Sequence, residues 1–254
     1  MEKISVVTVC FNESQEKIKY TFDSILNQNY ASVEFIVVDG GSNENTLNAL
    51  HVWSSKIDHF ISEPDKGIFD AMNKGVKLAT GEWICFMNVG DSFYNYEALA
   101  NLIELNHNNA DILYGDVYKA DFGLINSPSK LNSYIFYVSG ICHQAILARK
   151  IVFARIGDFD LNTKLYGDSD WVMRAFISNV SFYHIPQIIC IYEGGGATSD
   201  QTNLKEMRKN YLKKYFDLRQ RIFYKIWSIF QRILNRIIHF NLSSPHFLKS
   251  RLLR

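Results

Sequence analysis

Residues 4–87 alternate short apolar runs with segments of helical periodicity. Residues 4–9 and 33–38 are continuous β-branched runs, as expected of parallel strands that are buried on both faces. Similar short runs occupy residues 59–62 and 83–87, and amphipathic segments lie between them. Strands and helices in this order form right-handed parallel crossovers. The sequence therefore predicts an α/β fold with a mixed, mostly parallel sheet flanked by helices.

The helix predicted after the first strand carries Ile18, Phe22 and Ile25 along one face. Asn12 precedes this segment, and Gln15 follows three residues later, which is the spacing of a capping box. We therefore predict Asn12 as the N-cap and the three apolar side chains as part of the core.

Beyond Asp91 the regular alternation ends. Turn residues at 121–123 predict a hairpin, so part of the sheet is expected to run antiparallel. Pro186 interrupts the apolar run 181–192, which we predict as one or two strands. The other predicted elements are a helix over 95–105, strands over 112–117 and 144–148, and a helix over 168–177.

Residues 62–75 have the composition of a ligand-binding helix entry. Asp70 and Lys74 lie four residues apart on one face of the predicted helix. Gly67 opens that helix without a side chain, so a diphosphate can approach the backbone there. This segment is a candidate phosphate site.

Asp91 follows the apolar run 83–87 and is therefore expected just past the carboxyl end of a strand. Open α/β sheets bind their ligands at that edge. A carboxylate there can hold Mg²⁺ or Mn²⁺ against the phosphates of a nucleotide. The composition of residues 88–91 is equally typical of an ordinary turn.

Composition indicates a soluble globular protein, since 47% of the 254 residues are hydrophobic and 21% are charged. Cys10, Cys85, Cys142 and Cys190 are scattered without a C-x-x-C pair, which favours free thiols in a reducing cytosol. The apolar run at the amino terminus is too short for a signal peptide, so we expect no export.

Charge is divided unevenly along the chain. Residues 201–254 hold 13 Lys and Arg against two acidic residues, which leaves 14 basic and 24 acidic residues in 1–200. The first part is thus near −10 and the second near +11. We predict a folded domain over 1–200 and a basic amphipathic helical tail over 201–254.

Residues 219–240 of this tail place Ile, Phe and Trp residues at helical spacing. Lys225, Arg232 and Arg236 interrupt the apolar stretches, so the helix is expected to lie on a surface and not to cross a bilayer. Aromatic and basic side chains suit the interface of an anionic membrane. The alternatives are packing on the folded domain or on a second copy in a homodimer. We expect no nucleic-acid partner, because nothing resembles a reading module.

Several motifs in order resemble the nucleotide-sugar glycosyltransferases of family 2, which have the GT-A fold, especially bacterial members that assemble surface polysaccharides. The resemblance covers roughly residues 3–200. Residues 6–12 resemble the opening strand and loop of the family, residues 37–42 its nucleotide-base site, and residues 62–75 its phosphate-side segment. It implies a GT-A catalytic domain over 1–200 and a nucleotide-sugar donor.

The resemblance also implies nucleotide-binding roles. Asp39 is expected to accept a hydrogen bond from the base, and Thr8 to contact the nucleoside. The other residues that it assigns to nucleotide binding are Asn12, Asp65, Lys74 and Asn88.

Residues 88–91 resemble the D-x-D-type motif of the family, in which Asp91 reaches the metal. Gly90 stands where an acidic residue is common, so weaker metal affinity is expected. Asp168 matches the general base of a later acidic motif, although an N-cap role is the alternative for this residue. His143, Gln144 and Trp171 are expected on the acceptor side, with a purely structural histidine as the alternative for His143.

Together these expectations describe an inverting glycosyltransferase that uses Mg²⁺ or Mn²⁺ and transfers from a UDP-sugar to a lipid-linked saccharide. A single base opposite the leaving group gives one displacement and therefore inversion. The expected location is peripheral, on the cytoplasmic face of the cell membrane. A sugar nucleotidyltransferase and a catalytically inactive nucleotide-binding scaffold are the alternatives.

Overall fold

A computed structural model describes residues 1–106, 108–193 and 201–242 of the chain. The first half alternates strands and helices as the periodicity predicts. Its elements are β1 (Ile4–Cys10), α1 (Gln15–Leu26), β2 (Val33–Asp39), α2 (Glu44–His51), β3 (His59–Ser62), α3 (Ile68–Leu78) and β4 (Trp83–Phe86).

The second half mixes short strands with helices. Its elements are β5 (Ser92–Phe93), α4 (Ala98–Glu104), β6 (Ile112–Lys119), β7 (Gly123–Ile125), α5 (Ser133–Val138), β8 (Ile146–Arg149), α6 (Lys150–Ile156), α7 (Gly167–Ile177), β9 (Phe182–Tyr192), α8 (Gln201–Tyr215) and α9 (Leu218–Leu242). Three 3₁₀ segments, Ser54–Lys56, His143–Ala145 and Leu161–Tyr166, connect these elements.

Within the described residues, the strands form one sheet in the order β3-β2-β1-β4-β8-β6-β9-β5, with β7 paired to β6. Strands β3, β2, β1 and β4 are parallel, whereas β8 runs antiparallel to both β4 and β6. Strand β9 is parallel to β6, and β5 is antiparallel to β9. The predicted fold class, a mixed sheet flanked by helices, is confirmed, and so is the hairpin at 121–123.

Each face of the sheet has its own hydrophobic core. Alternate residues of β1 divide between them, with Ile4 and Val6 in one core and Val7 and Val9 in the other. Helix α1 packs on the first core through Ile18, Phe22 and Ile25, as predicted. Helices α3, α6 and α7 pack on the second.

The predicted N-cap of α1 is wrong. The helix begins at Gln15, and the side chain of Ser14 accepts the hydrogen bond from Lys17 N. Asn12 has a φ of 53° and lies in the loop that leaves β1. Its Oδ1 accepts from Asn43 N at 2.9 Å, so its side chain joins two loops and caps no helix.

Pro186 does not divide the last strand. Strand β9 runs unbroken from Phe182 to Tyr192, and an irregularity in its pairing with β6 absorbs the proline. Gly115 pairs with Ile185, but Asp116 pairs with Ile188, so extra residues of β9 bulge out beside the proline.

The carboxyl-terminal helices differ in how they meet the rest of the protein. Tyr211 and Phe216 belong to the second core, whereas α9 exposes a row of large apolar side chains. This row consists of Ile222, Phe223, Ile226, Trp227, Ile229, Phe230 and Ile233. None of the helices in the described part of the chain has both the length and the apolar character needed to cross a bilayer.

Candidate active site

The candidate site lies at the carboxyl ends of β1, β2 and β4. Because β8 runs antiparallel to β4, the residues that precede β8 lie beside the turn that follows β4. His143 and Gln144 therefore meet the turn Asn88 to Asp91, although more than 50 residues separate them in the sequence.

Thr8 and Asp39 lie on the same face of neighbouring parallel strands, since Thr8 pairs with Val37 and Cys10 with Asp39. Asp39 is fully buried, and its Oδ2 accepts from Ser62 Oγ at 2.7 Å and from two backbone amides. Asp39 Oδ1 and Thr8 Oγ1 are also buried, but neither has a hydrogen-bond partner among the described residues. Unpartnered buried oxygens of this kind are expected where a bound molecule supplies the partner.

Three loops close around Asp39. Asn12 Oδ1 accepts from Asn43 N, and Ser42 Oγ accepts from Asn12 N at 2.8 Å. Asp65 lies close against the backbone of Gly40, which has no side chain: a Cβ there would lie 2.4 Å from Asp65 Oδ2. The structure thus gathers Thr8, Asn12, Asp39 and Asp65 at one edge of the sheet.

Lys74 is half-buried and held by acidic neighbours. Its Nζ lies 2.8 Å from Glu63 Oε1 and 3.8 Å from Asp70 Oδ2. The hydrogen bond to Glu63 is the main cause that raises the pKa of Lys74. The i,i+4 pairing of Asp70 with Lys74 is therefore present, and Glu63 is an additional partner that the helical spacing did not indicate.

Asp91 is held from two sides. Its Oδ2 accepts from Gln144 Nε2 at 2.8 Å, and its Oδ1 accepts from Glu193 N at 3.4 Å. Burial raises the pKa of this carboxyl group above its usual range, and the hydrogen bond from Gln144 opposes that effect only in part. Among the described residues Asp91 forms no ion pair, and the nearby charge of His143 also opposes the effect of burial only in part.

Gly90 has a φ of 102°, which side-chain-bearing residues rarely adopt. The glycine that stands here in place of an acidic residue therefore has a conformational role in the turn. Thr21 of α1 holds the same turn, since its hydroxyl accepts from Gly90 N at 2.9 Å and donates to Asp91 O at 2.7 Å. Sequence reasoning missed Thr21; its one signal is a polar residue on the apolar face of α1.

Asp168 lies in the first turn of α7 and contacts His143, whose Nδ1 is 3.1 Å from Asp168 Oδ2. Because a carboxylate only accepts, Nδ1 carries the proton. Burial would raise the pKa of Asp168, but the hydrogen bond and charge of His143, together with hydrogen bonds from Ser169, outweigh burial and lower it. Burial likewise would lower the pKa of His143, and Asp168 reverses this and raises it.

The other nitrogen of His143, Nε2, lies 3.3 Å from Asn88 Nδ2. Asn88 Oδ1 is buried without a hydrogen-bond partner among the described residues. His143 thus links the turn after β4 to α7, while Gln144 contacts Asp91. Two consecutive residues connect the two carboxylates that the sequence singled out, and both carboxylates belong to one site.

A divalent cation would find few protein ligands at this site. No group of three or more His, Cys, Asp and Glu side chains in the described ranges has metal-binding geometry. Mg²⁺ commonly takes one or two protein carboxylates and completes its coordination with water and substrate phosphates. The single carboxylate of Asp91, with the unpartnered Asn88 Oδ1 on the same turn, fits an ion that binds together with a diphosphate.

Trp171 has a structural position. It is 2% exposed, stacks on Phe153 with ring centroids 4.4 Å apart, and donates from Nε1 to Gly157 O. A side chain so enclosed supports α7 and offers little surface to an acceptor. The N-cap alternative for Asp168 is also wrong, because the cap residue is Tyr166 and no side chain caps this helix.

Glu193 follows β9 and precedes three consecutive glycines in the sequence. Its carboxylate lies 2.9 Å from Lys17 Nζ, and its backbone amide reaches Asp91. Residues 194–196 lie outside the described residues.

Relatives of the chain are glycosyltransferases. A "PGL/p-HBAD biosynthesis glycosyltransferase" from Mycobacterium bovis (strain BCG / Pasteur 1173P2) is 31% identical over 196 residues, which are 74% of this chain and 75% of that protein. "Glycosyltransferase GlyG" from Streptococcus pneumoniae is 25% identical over 170 residues, 65% of this chain and 54% of that protein.

Solved structures support the fold. S. aureus TarS 1–349 in complex with UDP superposes with a TM-score of 0.63 at 22% identity over 81% of this chain and 64% of TarS 1–349. The mannosyltransferase PcManGT from Pyrobaculum calidifontis, in complex with GDP-Man and Mn²⁺, gives a TM-score of 0.62 at 16% identity over 81% of this chain and 61% of that protein. The chain therefore spans less than two thirds of either structure.

The decisive match covers residues 5–165 and is to the family described as Glycosyl transferase family 2. This match includes β1 to β8, the turn that carries Asp91, and His143 with Gln144. On this evidence the chain is a glycosyltransferase and belongs to glycosyl transferase family 2.

Proposed function

We propose that this glycosyltransferase transfers a sugar from a UDP-sugar to a lipid-linked saccharide in one displacement that inverts the anomeric configuration. The observation that carries the proposal is the hydrogen-bonded connection of Asp91 to Gln144 and of Asp168 to His143. These two pairs supply one carboxylate for the diphosphate side of the site and a second carboxylate that can accept a proton from the nucleophile.

UDP is the proposed nucleotide because of the polar atoms on the nucleotide side. Uracil carries one ring N–H, which suits the unpartnered Asp39 Oδ1, and the Thr8 hydroxyl is available to the nucleoside. The UDP complex of TarS, which shares the fold, supports this choice. Asn12, Asp65, Lys74 and Asn88 complete the proposed nucleotide-binding set.

On the diphosphate side, Asp91 and Asn88 would hold Mg²⁺ or Mn²⁺. Such an ion neutralises charge that develops on the leaving diphosphate. Gln144 orients the Asp91 carboxylate by its 2.8 Å hydrogen bond, and Thr21 fixes the backbone of the turn. Outer contacts of this kind keep a metal-binding carboxylate in its productive orientation.

On the acceptor side, Asp168 takes the proton of the attacking hydroxyl group. The proton moves to the Asp168 carboxylate while the hydroxyl oxygen forms the new bond to the anomeric carbon; the bond from that carbon to the diphosphate oxygen breaks with its electron pair, and UDP leaves. His143 keeps Asp168 ionised and aims it, because its protonated Nδ1 donates to one carboxylate oxygen. With one base and no covalent intermediate, the product has inverted configuration.

The proposed location is the cytoplasmic face of the cell membrane, where a lipid-linked acceptor is accessible. The support is the exposed apolar row of α9, interspersed with Arg221, Lys225 and Arg232.

The test is transfer from a panel of nucleotide sugars with Mn²⁺ or Mg²⁺, together with the variant Asp168→Asn. We expect Asp168→Asn to lower kcat by roughly 10²–10⁴-fold, because the general base is lost. UDP affinity in calorimetry should stay unchanged, because Asp39 and Asp91 are intact. The control is Asp121→Asn, in the exposed hairpin turn.

Each part of the proposal has its own contrary result. Full turnover by Asp168→Asn contradicts the base assignment, and a product of retained configuration contradicts the single displacement. UDP affinity that does not respond to Mn²⁺ or Mg²⁺ contradicts the metal assignment and favours an inactive scaffold. Formation of a nucleotide sugar from a sugar phosphate would instead identify a sugar nucleotidyltransferase.

A further inference from the structure

Asp170 is a fully buried carboxylate two residues after Asp168 on α7. Its Oδ2 accepts from Arg174 Nε at 2.9 Å. Its Oδ1 accepts from Lys214 Nζ at 2.7 Å and from Tyr215 OH at 2.6 Å, and both of these residues belong to α8. A buried carboxylate is tolerated only when it is paired and hydrogen-bonded.

The two oxygens of Asp170 have partners on different elements. Arg174 is on α7 itself and also donates to Ile156 O and Asp158 O, so it joins the helix to the loop after α6. The partners of Oδ1 come from α8 alone. Without Lys214 and Tyr215, one oxygen of a buried charge loses both of its donors, which favours a shift of α7.

Helix α8 also packs against the end of α7 that carries Asp168. Tyr211 is 8% exposed and stacks on Tyr166, the residue that caps α7, with ring centroids 5.7 Å apart. Arg208 donates to Tyr137 O and Val138 O at 3.1 Å and joins α8 to α5. Helix α8 is therefore fixed on two sides before it reaches Asp170.

We propose that Lys214 and Tyr215 are positioning residues for Asp168, so that α8 is part of the catalytic unit although it lies in the basic tail. The inference rests on the proposed role of Asp168 as the base. The contacts of α8 with Asp170 and Tyr166 set the position of α7, and α7 sets the 3.1 Å contact of Asp168 with His143. Displacement of a reacting group by about 1 Å can cost 10²-fold in rate.

The experiment uses the full chain with Lys214→Met, Tyr215→Phe and the double variant. We expect kcat for transfer to fall roughly tenfold in each single variant and up to about 10²-fold in the double variant. The Kd of UDP with Mn²⁺ should stay unchanged, because Thr8, Asp39 and Asp91 are on other elements. Lys214→Arg should retain most of kcat, since it keeps a cation that can reach Asp170.

Lys213→Met is the matched control, because Lys213 is exposed on the same helix. Every variant is assayed well below its own midpoint of unfolding, so that loss of folded protein does not contribute. If Lys214 and Tyr215 only stabilise the fold, the kcat defect disappears under these conditions. That outcome overturns the proposal. If the double variant fails to fold, Tyr215→Phe, which removes one hydroxyl group, decides the question.

Two failures can be told apart. A wild-type chain that transfers no sugar overturns the proposed function and this inference with it. Wild-type transfer combined with unchanged kcat in the Lys214 and Tyr215 variants overturns the inference alone. A parallel loss of UDP affinity in these variants also contradicts it, because the effect then extends beyond α7.

Discussion

Asp91 and Asp168 have opposite ionisation behaviour within one site. Burial raises the pKa of Asp91, which has only neutral hydrogen-bond donors. Burial acts on Asp168 as well, but His143, with the help of Ser169, outweighs it and lowers the pKa. Carboxylates whose surroundings separate their pKa values commonly have different chemical roles. This difference agrees with the proposed roles: a bound cation would stabilise the charge of Asp91 as a metal ligand, and Asp168 as the base is ionised before its substrate arrives.

The role of His143 is tested by His143→Gln. Glutamine lacks the imidazolium charge, so the pKa of Asp168 should rise as burial becomes dominant. The proposed mechanism requires ionised Asp168, and the acidic limb of the kcat/KM profile should therefore move to higher pH. At neutral pH we expect kcat to fall roughly tenfold to a hundredfold, because Asp168 loses its orienting contact.

The measurement is the pH dependence of transfer by wild type, His143→Gln and the control His51→Gln, which changes an exposed histidine. An acidic limb that stays in place in His143→Gln would show that His143 does not govern the ionisation of Asp168.

Sequence reasoning identified residues whose chemistry is visible in a local pattern. Asp39, Asp91 and Asp168 each occupy a recognisable place after a strand or in an acidic motif. Thr21 and the α8 partners of Asp170, Lys214 and Tyr215, were not predictable in this way, because each acts on a residue more than 40 positions away. Long-range side-chain contacts leave no periodic signal in the chain.

Elements were predictable wherever hydrophobic periodicity alone decides them. The four parallel strands and α3 follow continuous apolar runs and amphipathic spacing. The start of α1 and the unbroken course of β9 were not predictable. The start of α1 depends on whether Asn12 or Ser14 is the cap, and Asn12 is instead occupied by its contact with the loop at Asn43. The unbroken course of β9 depends on a bulge that only the pairing with β6 creates.

The packing of α3 on β1 yields a prediction at this scale. Gly75 faces Val7, and a Cβ at this glycine would lie 2.2 Å from Val7 Cγ1. Alanine gains about 1 kcal/mol in helix propensity over glycine. Overpacking a buried contact costs about 1–3 kcal/mol, and Val7 is fully buried and has no room to move. Since the propensity gain offsets about 1 kcal/mol of this cost, Gly75→Ala should lower the free energy of unfolding by up to about 2 kcal/mol.

Chemical denaturation monitored by circular dichroism measures this change. Lys77→Ala, at an exposed position of the same helix, should stay within about 0.5 kcal/mol of wild type. A Gly75→Ala protein that is more stable than wild type would show that propensity outweighs the contact and that α3 can shift away from β1.

At the scale of the whole molecule, charge and packing divide the chain at different places. Charge changes sign near residue 200, with about −10 before it and +11 after it. Packing continues into α8, since Tyr211 and Phe216 belong to the second core, and exposed apolar side chains begin at α9. The composition predicted the basic tail but not the docking of α8, because burial of its aromatic residues depends on α5 and α7.

This arrangement leaves α9 as the surface for the proposed membrane contact. Trp227 and Phe230 are 40% and 51% exposed, and the basic Lys225 and Arg232 lie on the same helix. Basic residues near an anionic bilayer contribute about 1 kcal/mol each. The double variant Lys225→Gln with Arg232→Gln should therefore bind anionic vesicles roughly 30-fold more weakly than wild type.

Co-sedimentation with phosphatidylglycerol vesicles and with phosphatidylcholine vesicles measures this binding. The control is Lys56→Gln with Lys77→Gln, which removes two exposed charges from the domain body and should leave binding unchanged. Added salt should weaken the wild type more than the tail variant, because screening acts on the charges that the variant lacks. Equal binding by wild type and tail variant contradicts the membrane contact. A dimer in light scattering that Phe230→Ser dissociates, without vesicle binding by wild type, would instead assign the exposed row of α9 to a second copy of the chain.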